Sequence, residues 1–126
     1  MSAIEIEDIS DGTGREALKG TAVTVHFVGR LNKGDAVVDT RQYGMTATFL
    51  VGGHRGIAGL AKGVVGMRVG GRRRIRVSPH LAYGEKGVTG VGGFHIRPIP
   101  PNAVLIFEVE LLEVSDKKDV PHFIRL

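Results

Sequence analysis

The feature that most constrains the fold is a strict alternation of apolar and polar residues near the carboxyl end of the chain. One side of an extended chain would carry only apolar side chains there, from Ala103, Leu105, Phe107, Val109 and Leu111. Glu108 and Glu110 fall on the opposite side. Because successive side chains of a strand point to opposite faces, this pattern predicts a strand with one buried face. Half-buried strands of this kind are typical of antiparallel sheets.

The same period of two recurs in three other segments. Residues 22–31 place Val23, Val25, Phe27 and Leu31 on one face, and we expect a bulge at Gly29. Residues 46–51 and residues 72–78 alternate in the same way. The run Asn32-Lys33-Gly34-Asp35 has the composition of a turn, and the apolar residues 36–38 follow it. A hairpin is therefore predicted between the strand 22–31 and residues 36–38.

Only one segment has a helical period. Apolar residues recur there at spacings of three and four, at Ile57, Leu60, Ala61, Val64 and Met67. Gly56, Gly59 and Gly63 each disfavour a helix by about 1 kcal/mol relative to alanine. We therefore expect this helix to persist only by packing on the sheet, and to end at Gly66 in a left-handed cap. The predicted fold class is α+β, an antiparallel sheet covering one short helix.

Composition excludes several classes of protein. A chain of 126 residues has the length of one domain, and its 19 glycines favour turns and short strands over long helices. The absence of cysteine excludes a disulfide framework, thiol catalysis and cysteine metal sites. The apolar runs are far shorter than the roughly 20 residues that span a bilayer, and the acidic start does not resemble a signal peptide. We expect a soluble, cytoplasmic, monomeric protein without a membrane partner.

Two stretches show no sustained period. The 16 residues between Tyr83 and Pro100, numbered 84–99, are rich in glycine. Loops longer than about 12 to 15 residues are uncommon in compact domains and are often functional. After residue 115 the chain is polar, and it then carries apolar residues at its end. We predict one domain over residues 1–115 and a C-terminal tail over residues 116–126.

Four arginines lie within five positions, at Arg72, Arg73, Arg74 and Arg76. Such a cluster could follow the phosphates of a nucleic acid, in which case binding would depend strongly on salt. The simpler interpretation is a strand with a solvated outer face, because Ile75 and Val77 alternate with Arg74 and Arg76. No aromatic residues interleave with the arginines to stack on bases. The solvated strand is favoured, and nucleic acid is not an expected partner.

The residues that commonly carry catalysis or bind metals form no usual pattern. The histidines, His26, His54, His80, His95 and His122, lack the spacing of a helical zinc site. A phosphate-binding loop of the form GxxxxGK[ST] and a GxSxG nucleophile motif are both missing from the sequence. We expect no metal and no cofactor.

Three strings identify a family. VTVHFVGRL, GLAKGVVGMRVGGRRRIRVSPHLAYGEKG and IPPNAVLIFEVELLEV occur in that order. Over residues 20–114 they resemble the FKBP family, the macrolide-binding peptidyl-prolyl cis–trans isomerases. The resemblance implies a twisted antiparallel sheet wrapped around a short helix, with an apolar pocket that accepts a proline ring. It also implies that the partners are proline-containing peptides or unfolded proteins, together with macrolides such as tacrolimus or rapamycin.

The resemblance further implies which residues act. The catalytic residues would be Tyr83, whose phenol would donate a hydrogen bond to the substrate carbonyl beyond the proline, and Asp39, which would face the twisted carbonyl. The substrate-binding residues would be Phe27, Val38, Phe49, Ile57, Leu60, Ile99 and Phe107. Without the family, simpler roles stand beside these: Asp39 could cap a turn, Tyr83 could belong to a turn, and Phe107 could be an ordinary core residue.

Several positions depart from the family pattern. Phe27 stands where most active members have tyrosine, Val38 where they have phenylalanine, and Leu60 where they have tryptophan. Ala47 takes an aromatic wall position, and Gly56 takes a position that is usually valine. These changes reduce aromatic surface or polarity. They leave two functions open: an isomerase of reduced activity and altered macrolide affinity, or a non-catalytic protein-binding module that uses the pocket and the 84–99 loop.

Overall fold

A computed structural model describes residues 3–32, 34–53, 58–89 and 96–116. Its elements are β1 (Ile4–Ser10), β2 (Ala22–Leu31), β3 (Ala36–Asp39), β4 (Ala47–Leu50), α1 (Ala58–Gly63), β5 (Arg72–Val77) and β6 (Leu105–Ser115). Short 3-10 helices cover Arg41–Tyr43 and Pro79–Leu81. In these ranges no helix is long and apolar enough to cross a membrane.

All the described strands form one antiparallel sheet in the order β1-β5-β6-β2-β3. β4 also pairs with β2, so β3 and β4 lie along successive stretches of one edge of β2 while β6 occupies the other edge. The predicted strands correspond to β2, β4, β5 and β6, and the predicted hairpin corresponds to β2 and β3. The α+β class, with a sheet covering one short helix, is therefore confirmed.

The helix α1 packs closely on β5, and its glycines make this possible. A Cβ atom at Gly59 would lie 2.2 Å from Cγ1 of Val77, and one at Gly63 would lie 2.7 Å from Cδ1 of Ile75. Glycines that weaken the isolated helix therefore permit its contact with the sheet. The regular helix ends at Gly63, earlier than predicted, and a turn leads on to Gly66, which has the predicted positive φ of 88°.

β1 is not among the strands predicted from the sequence. It pairs with β5 in a register that places Glu7 opposite Arg74 and Asp8 opposite Arg73. Most of its residues are exposed, including Ile6 and Ile9. The apolar and acidic residues of β1 alternate only over residues 4–7, the alternation breaks at Asp8, and the strand buries little apolar surface. Its acidic residues are complementary to the neighbouring arginines instead.

The arginines of β5 divide between the two faces of the sheet. Arg74 is exposed, and its Nη1 lies 2.6 Å from Oε1 of Glu7. Arg73 points inward and is 8% exposed. Its Nε donates to Oδ1 of Asp8 at 2.7 Å, and its Nη1 donates to the carbonyls of Gly63 and Val65, both at 2.8 Å. The predicted outer arginines are confirmed, and Arg73 additionally caps the C-terminal end of α1.

Candidate functional site

Two aromatic rings form the centre of the predicted pocket. Phe27 on β2 and Phe107 on β6 lie on the inner faces of adjacent strands and are fully buried. Their ring centroids are 5.7 Å apart at an interplanar angle of 65°, an edge-to-face arrangement. The alternation of apolar residues predicted this placement, because both positions fall on the buried face of their strands.

Gly29 lets the Val38 side chain approach the Phe107 ring. A Cβ atom at Gly29 would lie 2.7 Å from Cγ1 of Val38 and 3.0 Å from Cε1 of Phe107. Val38 on β3 and Phe107 on β6 therefore approach each other across β2. The predicted irregularity is present, since the pairing of β2 with β3 shifts register between Gly29 and Arg30, while the pairing with β6 continues unbroken.

The other apolar members of the predicted site are also buried. Leu60 on α1, Phe49 on β4 and Ile99 belong to the same core cluster as the aromatic pair. Ala47 pairs with Val25 of β2, whereas Phe49 pairs with Val23, two residues farther from Phe27. The predicted substrate-binding residue Ile57 lies outside the described residues.

Tyr83 offers an unused hydrogen-bond donor. It follows the 3-10 helix Pro79–Leu81 in a turn closed by the Gly84 N–H, which donates to the Pro79 carbonyl at 2.7 Å. The phenolic oxygen is buried, and no group in the described ranges bonds to it. Burial raises the pKa of Tyr83 above its usual range, so the hydroxyl keeps its proton. Such a buried donor costs about 1 to 3 kcal/mol until an acceptor arrives.

Asp39 ends β3 and is half-buried. Its Oδ1 accepts the backbone N–H of Arg41 at 3.0 Å, so the turn-capping role considered from the sequence is confirmed. Phe27 has no hydroxyl with which to hold this carboxylate, and the backbone of the turn holds it instead. One oxygen of Asp39 is engaged in this way, and the same side chain also borders open space.

That open space is a depression of about 310 Å³ beside the pocket residues. It is lined by Asp35, Ala36, Val37, Val38, Asp39, Gln42 and Arg97. Two of the predicted site residues, Val38 and Asp39, therefore border a cavity, whereas the aromatic pair lies behind them in the core. Arg97 and Gln42 were not predicted to take part, because no sequence pattern connects either of them with β3.

The described ends of the 84–99 segment are fixed to the domain. The N–H of Arg97 donates to the Val37 carbonyl at 2.8 Å. Val88 and Ile99 exchange backbone hydrogen bonds of 2.9 and 2.8 Å, and Ile96 is buried in the core. These parts of the segment pack as core and strand edge, unlike the unpacked loop that the sequence indicates. Residues 90–95 lie outside the described ranges.

A metal centre was not expected. In the part of the chain that the structure describes, no three histidine, aspartate or glutamate side chains are grouped so that they could hold an ion. The predicted site residues within the described ranges are an apolar cluster, one buried phenol and one half-buried carboxylate.

Comparison with known proteins gives a consistent result. The family model described as FKBP-type peptidyl-prolyl cis-trans isomerase matches residues 13–112. The FK506-binding protein of Neisseria meningitidis serogroup A is 43% identical over 119 residues, covering 92% of this chain and 100% of the relative.

Solved structures share the fold. The crystal structure of AtFKBP13 has a TM-score of 0.76 and 33% identity, covering 89% of this chain and 93% of that one. The crystal structure of FkpA from Escherichia coli has a TM-score of 0.72 and 28% identity, covering 89% of this chain and 48% of that one. The chain belongs to the FKBP-type peptidyl-prolyl cis–trans isomerases.

Proposed function

We propose that this chain isomerises X-Pro bonds in peptides and unfolded proteins, with Tyr83 and Asp39 in contact with the substrate. The observation that carries the proposal is the buried hydroxyl of Tyr83, a protonated donor without an acceptor in the described ranges. It lies in a turn packed against the apolar cluster of Phe27 and Phe107. A peptide carbonyl bound there would satisfy the donor.

The reaction requires no nucleophile and breaks no bond. The barrier of about 18 to 20 kcal/mol is the amide resonance that is lost as the C–N bond twists. A twisted amide has a less polar carbonyl than a planar one, so an apolar pocket binds the twisted form better. Each increment of about 1.36 kcal/mol in this difference raises the rate about tenfold.

The two polar residues have separate roles in this proposal. The Tyr83 hydroxyl donates to the carbonyl beyond the proline and so holds that half of the peptide still, which lets the other half rotate. Asp39 faces the carbonyl of the rotating half, while its Oδ1 stays tied to the Arg41 N–H at 3.0 Å. The apolar residues Phe27, Val38, Phe49, Ile57, Leu60, Ile99 and Phe107 bind the proline ring and its neighbours.

We propose that turnover and macrolide affinity are lower than in members with a full aromatic set. Val38 and Leu60 are buried at positions where the family pattern has phenylalanine and tryptophan, and Ala47 is buried at an aromatic wall position. An aliphatic surface offers a proline ring or a macrolide less flat area than an indole or a phenyl ring. The Neisseria relative is named for FK506 binding, which supports the same pocket as the macrolide site.

A second candidate function is a protein-binding module. The depression beside Asp39 favours it, because its walls combine Asp35, Gln42 and Arg97 with a segment fixed to the edge of β3. These polar groups could hold a partner's side chains whether or not the proline bond rotates.

Cis–trans exchange of a short X-Pro peptide, followed by NMR with catalytic amounts of protein, separates the two functions. Uncatalysed exchange takes tens to hundreds of seconds, so even weak catalysis is measurable. We expect acceleration that a macrolide competitor blocks and that Tyr83→Phe reduces. A folded protein that leaves the exchange rate unchanged would contradict catalysis and support the binding module.

A further inference from the structure

Thr40 is a buried polar residue at the edge of the site. It follows Asp39 directly and is 1% exposed. Its Oγ1 accepts the backbone N–H of Phe27 at 3.0 Å and lies 3.0 Å from Nδ1 of His26. The single hydroxyl proton can be donated to that ring nitrogen or to the Phe27 carbonyl, 3.4 Å away. The Thr40 hydroxyl therefore binds the backbone of the pocket residue Phe27, and Thr40 itself is the sequence neighbour of Asp39.

The backbone of Thr40 explains why a hydroxyl is needed there. Antiparallel pairing of Val28 with Asp39 makes Phe27 and Thr40 the next pair. The Thr40 N–H continues that pairing and donates to the Phe27 carbonyl at 3.1 Å. However, Thr40 has helical angles, with φ −64° and ψ −36°, and its carbonyl accepts the Met45 N–H at 2.9 Å instead.

We propose that Thr40 is a positioning residue for isomerisation, whose hydroxyl replaces its own carbonyl as the acceptor for Phe27. Because the hydroxyl accepts the buried Phe27 N–H in place of the carbonyl, the chain can leave the sheet immediately after Asp39. The departing turn carries the Arg41 N–H that holds the Asp39 carboxylate. The inference rests on the proposed function, because it assigns Thr40 a role through Asp39.

A second contact supports the same turn from outside. The Arg41 side chain forms an ion pair with Glu110 of β6. The 3-10 helix that follows Asp39 is therefore held to β2 through Thr40 and to β6 through Arg41. Of these two contacts, only the one made by the Thr40 hydroxyl is buried.

Thr40→Val keeps the shape of the side chain and removes its hydroxyl. We expect kcat for an X-Pro peptide to fall by about 10- to 100-fold, since a displacement of about 1 Å at a reacting group costs that much. KM should change little, because the apolar contacts to the proline remain. Thr40→Ser, which keeps the hydroxyl, should retain most of the wild-type kcat.

Thr48→Val is the matched control. It removes an equivalent hydroxyl from the Thr24–Thr48 pair, whose oxygens are 3.0 Å apart on β2 and β4, away from Asp39. We expect it to lower stability without lowering kcat. If Thr48→Val lowers kcat as much as Thr40→Val does, or if Thr40→Val leaves kcat unchanged, the proposal is wrong.

Two further measurements separate positioning from general damage. In an Asp39→Ala background, Thr40→Val should cause no additional loss of kcat, because the group that it positions is gone. Independently of activity, hydrogen exchange of the Arg41 amide should accelerate in Thr40→Val and not in Thr40→Ser. Unchanged Arg41 exchange would refute the positioning role even if the wild type proved inactive, whereas an inactive wild type with the expected exchange pattern would refute only the proposed catalysis.

Discussion

The two halves of the sheet are stabilised by different forces. β1 and β5 meet through two ion pairs, an exposed one between Arg74 and Glu7 and a partly buried one between Arg73 and Asp8. β1 also leaves Ile6 and Ile9 exposed. β2 and β6 meet through buried apolar side chains that include the Phe27–Phe107 pair. Most of the candidate site lies in the apolar half, where close packing fixes side chains, whereas β1 lies at the edge of the sheet and buries little surface. Changes to the charged half should therefore affect stability more than catalysis.

The largest effect is expected where the apolar half is disrupted. Phe107→Ala removes a fully buried ring and its edge-to-face partner contact. We expect a loss of about 3 to 5 kcal/mol in the free energy of unfolding, measured by urea denaturation. A loss below about 1 kcal/mol would show that this half of the sheet can collapse around the missing ring.

Arg73→Met tests the boundary between the halves. It removes the ion pair with Asp8 and the two bonds to the Gly63 and Val65 carbonyls, and it keeps apolar bulk. Since hydrogen bonds to charged groups are worth about 1.5 to 3 kcal/mol, we expect a loss of about 2 to 3 kcal/mol. The kcat of the folded variant should be unchanged at temperatures below its unfolding transition. A lower kcat in the fully folded variant would show that the C-terminal end of α1 influences the site.

Tyr83→Phe should separate stability from activity. Removing a buried hydroxyl without a partner should raise stability by about 1 kcal/mol, while isomerisation slows. Because burial raises the pKa of Tyr83 above its ordinary value of 10.0, the unfolded chain loses this proton first as the pH rises. Wild-type stability should therefore fall above about pH 10, and the variant should lack that contribution. Thermal melts from pH 8 to 11 measure both effects, and a destabilised variant would show that the hydroxyl has a partner.

The smallest effect is expected on the outer face. Arg74→Ala removes exposed ion pairs with Glu7 and Glu108. Pairs of this kind are worth about 0 to 1 kcal/mol and are screened by salt. The difference from wild type should shrink further in 1 M NaCl, as measured by the thermal unfolding midpoint. A loss as large as that of Arg73→Met would mean that the two faces of β5 do not differ.

The sequence predicts the apolar half well, and in the charged half it predicts β5 but not β1. Periods of two identify β2 and β6, because their buried faces contain only apolar residues and glycine. β1 escapes prediction because its alternation covers only residues 4–7 and breaks at Asp8, and because its charge complementarity to β5 comes from a segment distant in the chain. Arg73 is in phase with Ile75 and Val77, so its burial could be inferred, but its partners at the end of α1 come from the tertiary fold.

Some residues of the candidate site were likewise predictable from the sequence, and others were not. The family strings predict that Tyr83, Asp39 and the apolar residues form one site. The structure places the described apolar members in the core with Tyr83 packed against them, and it places Asp39 beside Val38 at the depression. Thr40 and Arg97 carry no signal in the sequence. Thr40 acts through a hydroxyl that replaces a carbonyl in strand pairing, and Arg97 is placed by a backbone bond to Val37. Both depend on contacts between segments that are distant in the chain.

The sheet order has a consequence for how the protein is made. β6 follows the other five strands in the chain, yet it lies between β5 and β2. Among the described strands, those before β6 fall into two groups, β1 with β5 and β2 with β3 and β4, and no pairing between described strands connects the groups before β6 is synthesised. Phe27 meets Phe107 only when β6 arrives, so the domain acquires its pocket and its complete sheet in the same late step.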